Sequence, residues 1–142
     1  MNIVTYVNSI SWVTEDRARL LLRVVLGVVV LLHGIYKLQN PMAMDFVAGA
    51  FTTLGLPGAL AYLIYIGEVV APIMLIIGYQ TKIAALLVAI TMVVAILLVH
   101  SGQIFTLSEM GGGWAIELQM MLLTAAVAVF GLGGGRHVLI KK

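Results

Sequence analysis

Six ionisable side chains interrupt segments of this chain that are otherwise apolar: Arg23, His33, Lys37, Glu68, His100 and Glu117. Their types suit a definite chemistry. Histidine and lysine nitrogens donate hydrogen bonds to ligand oxygens, and a sequestered glutamate takes up and passes on protons. The stretch LLHGIYKLQNP, residues 31–41, sets His33 and Lys37 one helical turn apart, so both project from one face of a helix. Each residue also has a plainer reading. A lysine at a helix end snorkels toward water, and a lone histidine packs. Glu68 paired with Arg23 fixes helix register without doing any chemistry. His100 then marks a boundary, and Trp114 belongs to an aromatic belt.

Groups of this kind need a scaffold that keeps them from bulk water, and the composition supplies one. The chain has 142 residues, enough for one domain. Its hydrophobic fraction is 62%, its charged fraction 10% and its mean hydropathy +1.12. Soluble domains lie nearer 45–50% apolar and about 25% charged, so much of this surface must face lipid. The absence of cysteine excludes thiol–disulfide exchange, thiolate metal sites and iron–sulfur clusters held by this chain. The net charge of +2 is small and its basic residues cluster near membrane edges, which indicates topology rather than nucleic-acid binding.

Four segments, near 17–38, 58–78, 81–100 and 114–133, are long enough to cross a hydrocarbon core about 30 Å thick at 1.5 Å per residue. The fold expected is therefore all-α: an antiparallel bundle of four transmembrane helices with short interfacial helices. Thr14 with Glu15 and Asp16 makes an acidic cap for the first span, and Asn40-Pro41 ends it. In PMAMDFVAGAFTTL the recurrence of Met44, Val47, Phe51 and Leu54 predicts an interfacial helix ended by Gly55 and Pro57. Ile3, Val7, Ile10 and Val13 predict another. The organisation expected is an N-terminal interfacial segment 1–16, a membrane domain 17–135 and a basic tail 136–142. The first span is expected to be retained, since no small-residue cleavage site follows a short apolar run. With four spans, Arg17, Arg19, Lys82, Arg136, Lys141 and Lys142 share one side while Lys37 stands alone on the other. The positive-inside rule then puts both termini in the cytoplasm.

At 100° per residue, Arg23, Gly27, Val30, His33, Gly34 and Lys37 fall within an arc of roughly 120° on the first span. Trp114, Glu117, Met121, Thr124, Ala128 and Gly131 form a seam of alternating three- and four-residue spacing on the fourth, as Tyr65, Glu68 and Pro72 do on the second. By depth, Glu68 lies near mid-membrane with Arg23 as its candidate partner. His33, Lys37, His100 and Glu117 lie toward the outer side. An Arg, Lys or Asp at a helix centre costs roughly 2.5–3.5 kcal/mol on insertion scales, so such residues persist where they face protein or water. Their gathering on one half of the bundle favours a polar pocket open to the outer side.

At these residues the chain resembles the DoxX family of small bacterial membrane proteins. The resemblance rests on order and spacing over roughly residues 17–135. It starts from an early arginine, Arg23, followed by His33-Gly34-Ile35-Tyr36-Lys37-Leu38 and by Leu54-Gly55-Leu56-Pro57. Next come Gly67-Glu68, the turn Gly78 to Lys82, a histidine closing the third span, and Gly112-Gly113-Trp114 leading to Glu117. One departure is the end, where GLGGGRHVLI lacks the proline and aspartate common in that family.

The resemblance implies a place in the bacterial inner membrane beside oxidoreductase systems; relatives include the small subunit of a thiosulfate:quinone oxidoreductase. A quinone head group needs donors at its carbonyls, a proton path and an apolar channel for its tail. His33, Lys37 and His100, with Trp114 beside them, are the expected ligand-binding donors. Glu68 is the expected catalytic proton carrier, with Glu117 as a second relay. Any turnover in this chain would be that of an oxidoreductase acting with a membrane quinone, its electrons coming from the quinol, from other membrane or periplasmic redox subunits, or from within a homo-oligomer. Haem is disfavoured, because His33 and His100 differ in depth by about 6 Å at 1.5 Å per residue. The alternative is a non-catalytic subunit or assembly factor whose polar cluster is structural. A small proton-coupled transporter ranks third, since Arg23 stands where such transporters carry a glutamate.

Overall fold

The computed structural model of the protein describes residues 2–9 and 12–139, and its regular structure is helical. Helix α1 (Ile3–Asn8) is short and leaves Ile3, Val4, Tyr6 and Val7 exposed. Helix α2 runs Glu15–Gln39, its start capped by the Thr14 hydroxyl, which accepts from the Arg17 amide. Asn40 closes it by donating from Nδ2 to Tyr36 O, and Pro41 begins helix α3 (Pro41–Thr53). Met44 and Val47 of α3 are buried against Ala61, with Phe51 packed beside them, while Leu54 stays exposed. The stripe expected to lie on lipid is thus largely spent on protein.

The next apolar segment, Gly58–Ile77, is composite. It starts as a 3-10 helix over Gly58–Leu63, passes through a π turn over Ile66–Val70, and ends as helix α4 (Ala71–Ile77). Pro72 explains the π turn. It has no N–H to give to the carbonyl four residues back, which is Glu68, and its ring would collide with that carbonyl in a regular α-helix. The backbone widens instead, and the Ala71 amide bonds to Ile66 O, five residues back. Gly78, at φ 78°, ends α4 in the left-handed conformation that suits glycine. Helix α5 (Thr81–Leu98) and helix α6 (Glu117–Leu132) complete the bundle, after a 3-10 turn over Ser101–Gln103.

Four helices build one core: Leu26 and Val30 of α2, Ala71 and Leu75 of α4, Ala84, Ala85, Val88, Ala89 and Met92 of α5, and Leu122, Ala126 and Val129 of α6. The alanines of α5 let its neighbours come close, as small residues do in membranes. Outside this core Leu21, Leu32, Ile83, Ile90, Leu97 and Met121 are exposed. A girdle of aliphatic side chains open to the exterior is what a lipid-embedded bundle requires. Glu15–Gln39, Gly58–Ile77 and Thr81–Leu98 are each long and apolar enough to span a membrane.

The fourth expected span is shorter than its sequence segment. Helix α6 has 16 residues, about 24 Å at 1.5 Å per residue. Residues 114 and 115 are held in the preceding loop instead, where Trp114 Nε1 donates to Ile104 O at 2.6 Å and the Ala115 amide to Thr106 O at 3.1 Å. The buried seam of α6 also differs from the expected one. Leu122, Ala126 and Val129 face the core, while Glu117, Met121 and Thr124 are exposed. Thr124 bonds its hydroxyl to Met120 O, which satisfies it on a lipid-facing surface.

After α6 the chain turns back over the end of the bundle that carries the 78–81 turn. Arg136 pairs with Asp16 at 3.1 Å, and the Leu139 amide reaches Gly78 O at 3.3 Å. Of the expected N-terminal and C-terminal segments, Ile10, Lys141 and Lys142 lie outside the described residues.

Candidate ligand site

The register of α2 against the composite helix decides which polar groups meet. Gly34 lies directly on the backbone of Glu68: a Cβ there would fall 2.8 Å from Glu68 C and 2.8 Å from Val69 Cγ2. Gly27 lies on Pro72, with 2.9 Å from a Cβ to its carbonyl oxygen. The two glycines bring the helices together in antiparallel register, with Gly34 level with Glu68 and Arg23 level with Gly78.

This register overturns the expected ion pair between Arg23 and Glu68. Arg23 precedes Gly34 by 11 residues, about 16 Å along a helix axis at 1.5 Å per residue, beyond the reach of its side chain. Glu68 pairs instead with Lys37, Nζ to Oε2 at 2.5 Å, with 17% of the lysine side chain and 4% of the glutamate side chain exposed. Lys37 is therefore not a snorkelling anchor; it turns inward. The Tyr65 hydroxyl reaches Lys37 O in a long hydrogen bond of 3.4 Å.

Arg23 serves the opposite end. It is buried, and its Nη2 donates to His137 O at 2.6 Å. Its guanidinium also packs on Gly78, where the carbonyl end of α4 carries partial negative charge. Arg23 thus ties the returning C-terminal segment to the bundle. Arg23→Leu is expected to cost about 1.5–3 kcal/mol, the range for a hydrogen bond to a charged group, and to open the bond after Arg136 to trypsin. An unchanged melting temperature with an unchanged tryptic pattern would speak against the tie.

Lys37 and Glu68 form one wall of a partly open cavity of about 110 Å³. His33, His100 and Gln119 complete its polar side, and Met92, Ala95, Leu118 and Leu122 line the apolar side. His100 closes α5 and is fixed at both nitrogens: Nδ1 lies 2.8 Å from Gln103 Oε1, and Nε2 lies 3.1 Å from Gln119 Nε2. Among the described residues no three His, Asp or Glu side chains gather as a metal site.

Of the residues singled out by sequence, His33, Lys37, Glu68 and His100 come together here. Glu117 and Trp114 do not line this cavity. Glu117 is exposed and folds against Gly113, and Trp114 caps the loop. Gln119 carries no charge and lies off the seam expected for α6, so neither charge nor periodicity singles it out. An amide in an apolar membrane helix is the signal that would have found it, since such side chains bond across helices.

The DoxX family model matches residues 18–101, a stretch that contains His33, Lys37, Glu68 and His100 but ends before Gln119. A curated relative from Bacillus subtilis (strain 168), named "Putative oxidoreductase CatD", is 35% identical over 80 residues, which cover 56% of this chain and 58% of the relative. The match thus spans little more than half of that relative's length. No solved structure matches the chain.

Proposed function

The chain belongs to the DoxX family, and from that premise we propose that it is a quinone- or small-redox-ligand-binding subunit of a membrane oxidoreductase system. The observation that carries this reading is the cavity, in which a lysine, a glutamate, two histidines and an amide face four apolar side chains between membrane helices. The oxidoreductase name of the Bacillus relative supports it. The setting proposed is a bacterial inner membrane, crossed four times with both termini cytoplasmic. The partners proposed are other membrane or periplasmic redox subunits, or a second copy of the chain.

The residues fit a quinone head group. A cavity of about 110 Å³ is of the order of one that takes a single aromatic ring, and it is partly open, so the ring alone would enter. Lys37 would donate to a ring oxygen, and Glu68, held beside it, would take or return a proton there. The apolar wall would receive the ring face. Haem fits less well, because both His100 nitrogens are already engaged.

Mass spectrometry of an organic extract from gently purified protein, with an absorbance spectrum of the same sample, tests the reading. A stoichiometric quinone in the wild type that is lost in His33→Ala is the expected result. Glu68→Gln should still insert in the membrane but lose at least about tenfold in quinone affinity, as expected when a charged partner in a buried site is removed. Wild-type affinity in that variant would remove Glu68 from the site.

One observation favours a second reading. Lys37 and Glu68 pair directly with each other, as they would in a non-catalytic subunit whose polar cluster only holds the helices. A clean extract, with normal assembly of a partner complex in Glu68→Gln, would select it.

A further inference from the structure

Two of the residues that line the cavity also belong to the outside of the bundle, and they mark where it opens. His33 of α2 and Leu118 of α6 are exposed, whereas the rest of the lining is buried or half-buried. The opening therefore lies between α2 and α6. His33 sets its level: it precedes the end of α2 at Gln39 by six residues, about 9 Å at 1.5 Å per residue. The outward side chains beside it are aliphatic. Leu32 and Ile35 flank His33, and Met121 follows Leu118 one turn along α6, all of them exposed. A rim of this kind is bathed by acyl chains rather than by water. The end of the cavity nearer water is spanned instead. His100, which closes α5, comes within 3.1 Å of Gln119 on α6 and within 2.8 Å of Gln103 in the following turn.

We propose that the cavity is entered sideways from the bilayer, between α2 and α6, and that it takes a lipid-borne quinone whose head group passes His33 while its tail stays among the acyl chains. This mouth replaces the opening toward the outer side expected from the depth of the polar residues. His33 stands one helical turn before Lys37, and in either tautomer its ring keeps one N–H to donate. A carbonyl oxygen coming in from lipid meets that donor first and the more deeply buried Lys37 ammonium second. The inference rests on the quinone reading above for its ligand and adds the route by which that ligand arrives. Binding alone is at issue, with no electron transfer in this step.

The chain has no cysteine, so a single introduced cysteine carries a nitroxide label at one known place in the full chain. In phosphatidylethanolamine–phosphatidylglycerol liposomes, His33→Cys is compared with Leu97→Cys on the aliphatic girdle and Glu109→Cys in the exposed loop. Label collisions with oxygen, which concentrates in hydrocarbon, should exceed those with a water-soluble nickel chelate in His33→Cys, as in Leu97→Cys and opposite to Glu109→Cys. A water-like balance at position 33 would overturn sideways entry while leaving the quinone reading in place. Leu118→Trp then fills the mouth. Its affinity for a decyl-substituted ubiquinone analogue should fall at least about tenfold, as overfilling a close-packed site does. Val127→Trp, exposed on the same helix away from the cavity, should keep the wild-type value. Wild-type affinity in Leu118→Trp would likewise overturn the route. A wild-type chain that binds none of the decyl analogue would overturn the quinone reading and the ligand named here together. The label at position 33 decides where the cavity opens even if Leu118→Trp does not fold.

Discussion

Replacing Lys37 with methionine is expected to lower stability by about 3–5 kcal/mol, the cost of leaving one partner of a buried ion pair uncompensated. Glu68 has 3% of its surface exposed and sits on a π turn that cannot move freely, since Pro72 and Gly34 confine it from two sides. The double variant Lys37→Met with Glu68→Met should recover most of that loss, because two apolar side chains need no mutual compensation. Denaturation in detergent micelles measures both variants against wild type. A single variant that loses less than about 1 kcal/mol, the range of solvent-exposed pairs, would mean that water fills the cavity and screens the carboxylate. The cycle separates holding from chemistry, since the double variant should be stable yet unable to bind ligand.

Gly34→Ala should also destabilise the protein although it adds only one methyl group. The new Cβ would meet Glu68 backbone rather than the end of a flexible side chain, so one helix must shift away from the other. Overpacking of this kind costs about 1–3 kcal/mol or more, and here it also pulls Lys37 from Glu68. Affinity for the proposed quinone and melting temperature should therefore fall together. Gly49→Ala is the matched control. Its Cβ would meet nothing within 4 Å, and its exposed place in α3 should gain up to about 1 kcal/mol from helix propensity. If Gly34→Ala behaves like Gly49→Ala, the close approach of α2 to the π turn is not what sets the site.

By itself the sequence determined that this is an all-α membrane protein and where its first long helix begins and ends, and it singled out His33, Lys37, Glu68 and His100, which line one cavity, whereas of the four spans it led one to expect three are long enough in the structure. These follow from local physics. Apolar length is read against bilayer thickness, Thr14 and Pro41 mark helix ends through their own backbone chemistry, and ionisable groups in apolar runs need partners wherever they lie. The tertiary structure alone decided which partner each one has. Depth counted along ideal helices put Arg23 within reach of Glu68, but the glycine contacts at positions 27 and 34 set a register that gives Glu68 to Lys37 and sends Arg23 to His137. The same holds for α6, where two seams of equal spacing were available. The loop bonds of Trp114 and Ala115 and the packing of Leu122, Ala126 and Val129 chose the one that faces Gln119 to the cavity. Periodicity gives the width of a helix face, whereas its rotation is a property of the neighbours it packs against.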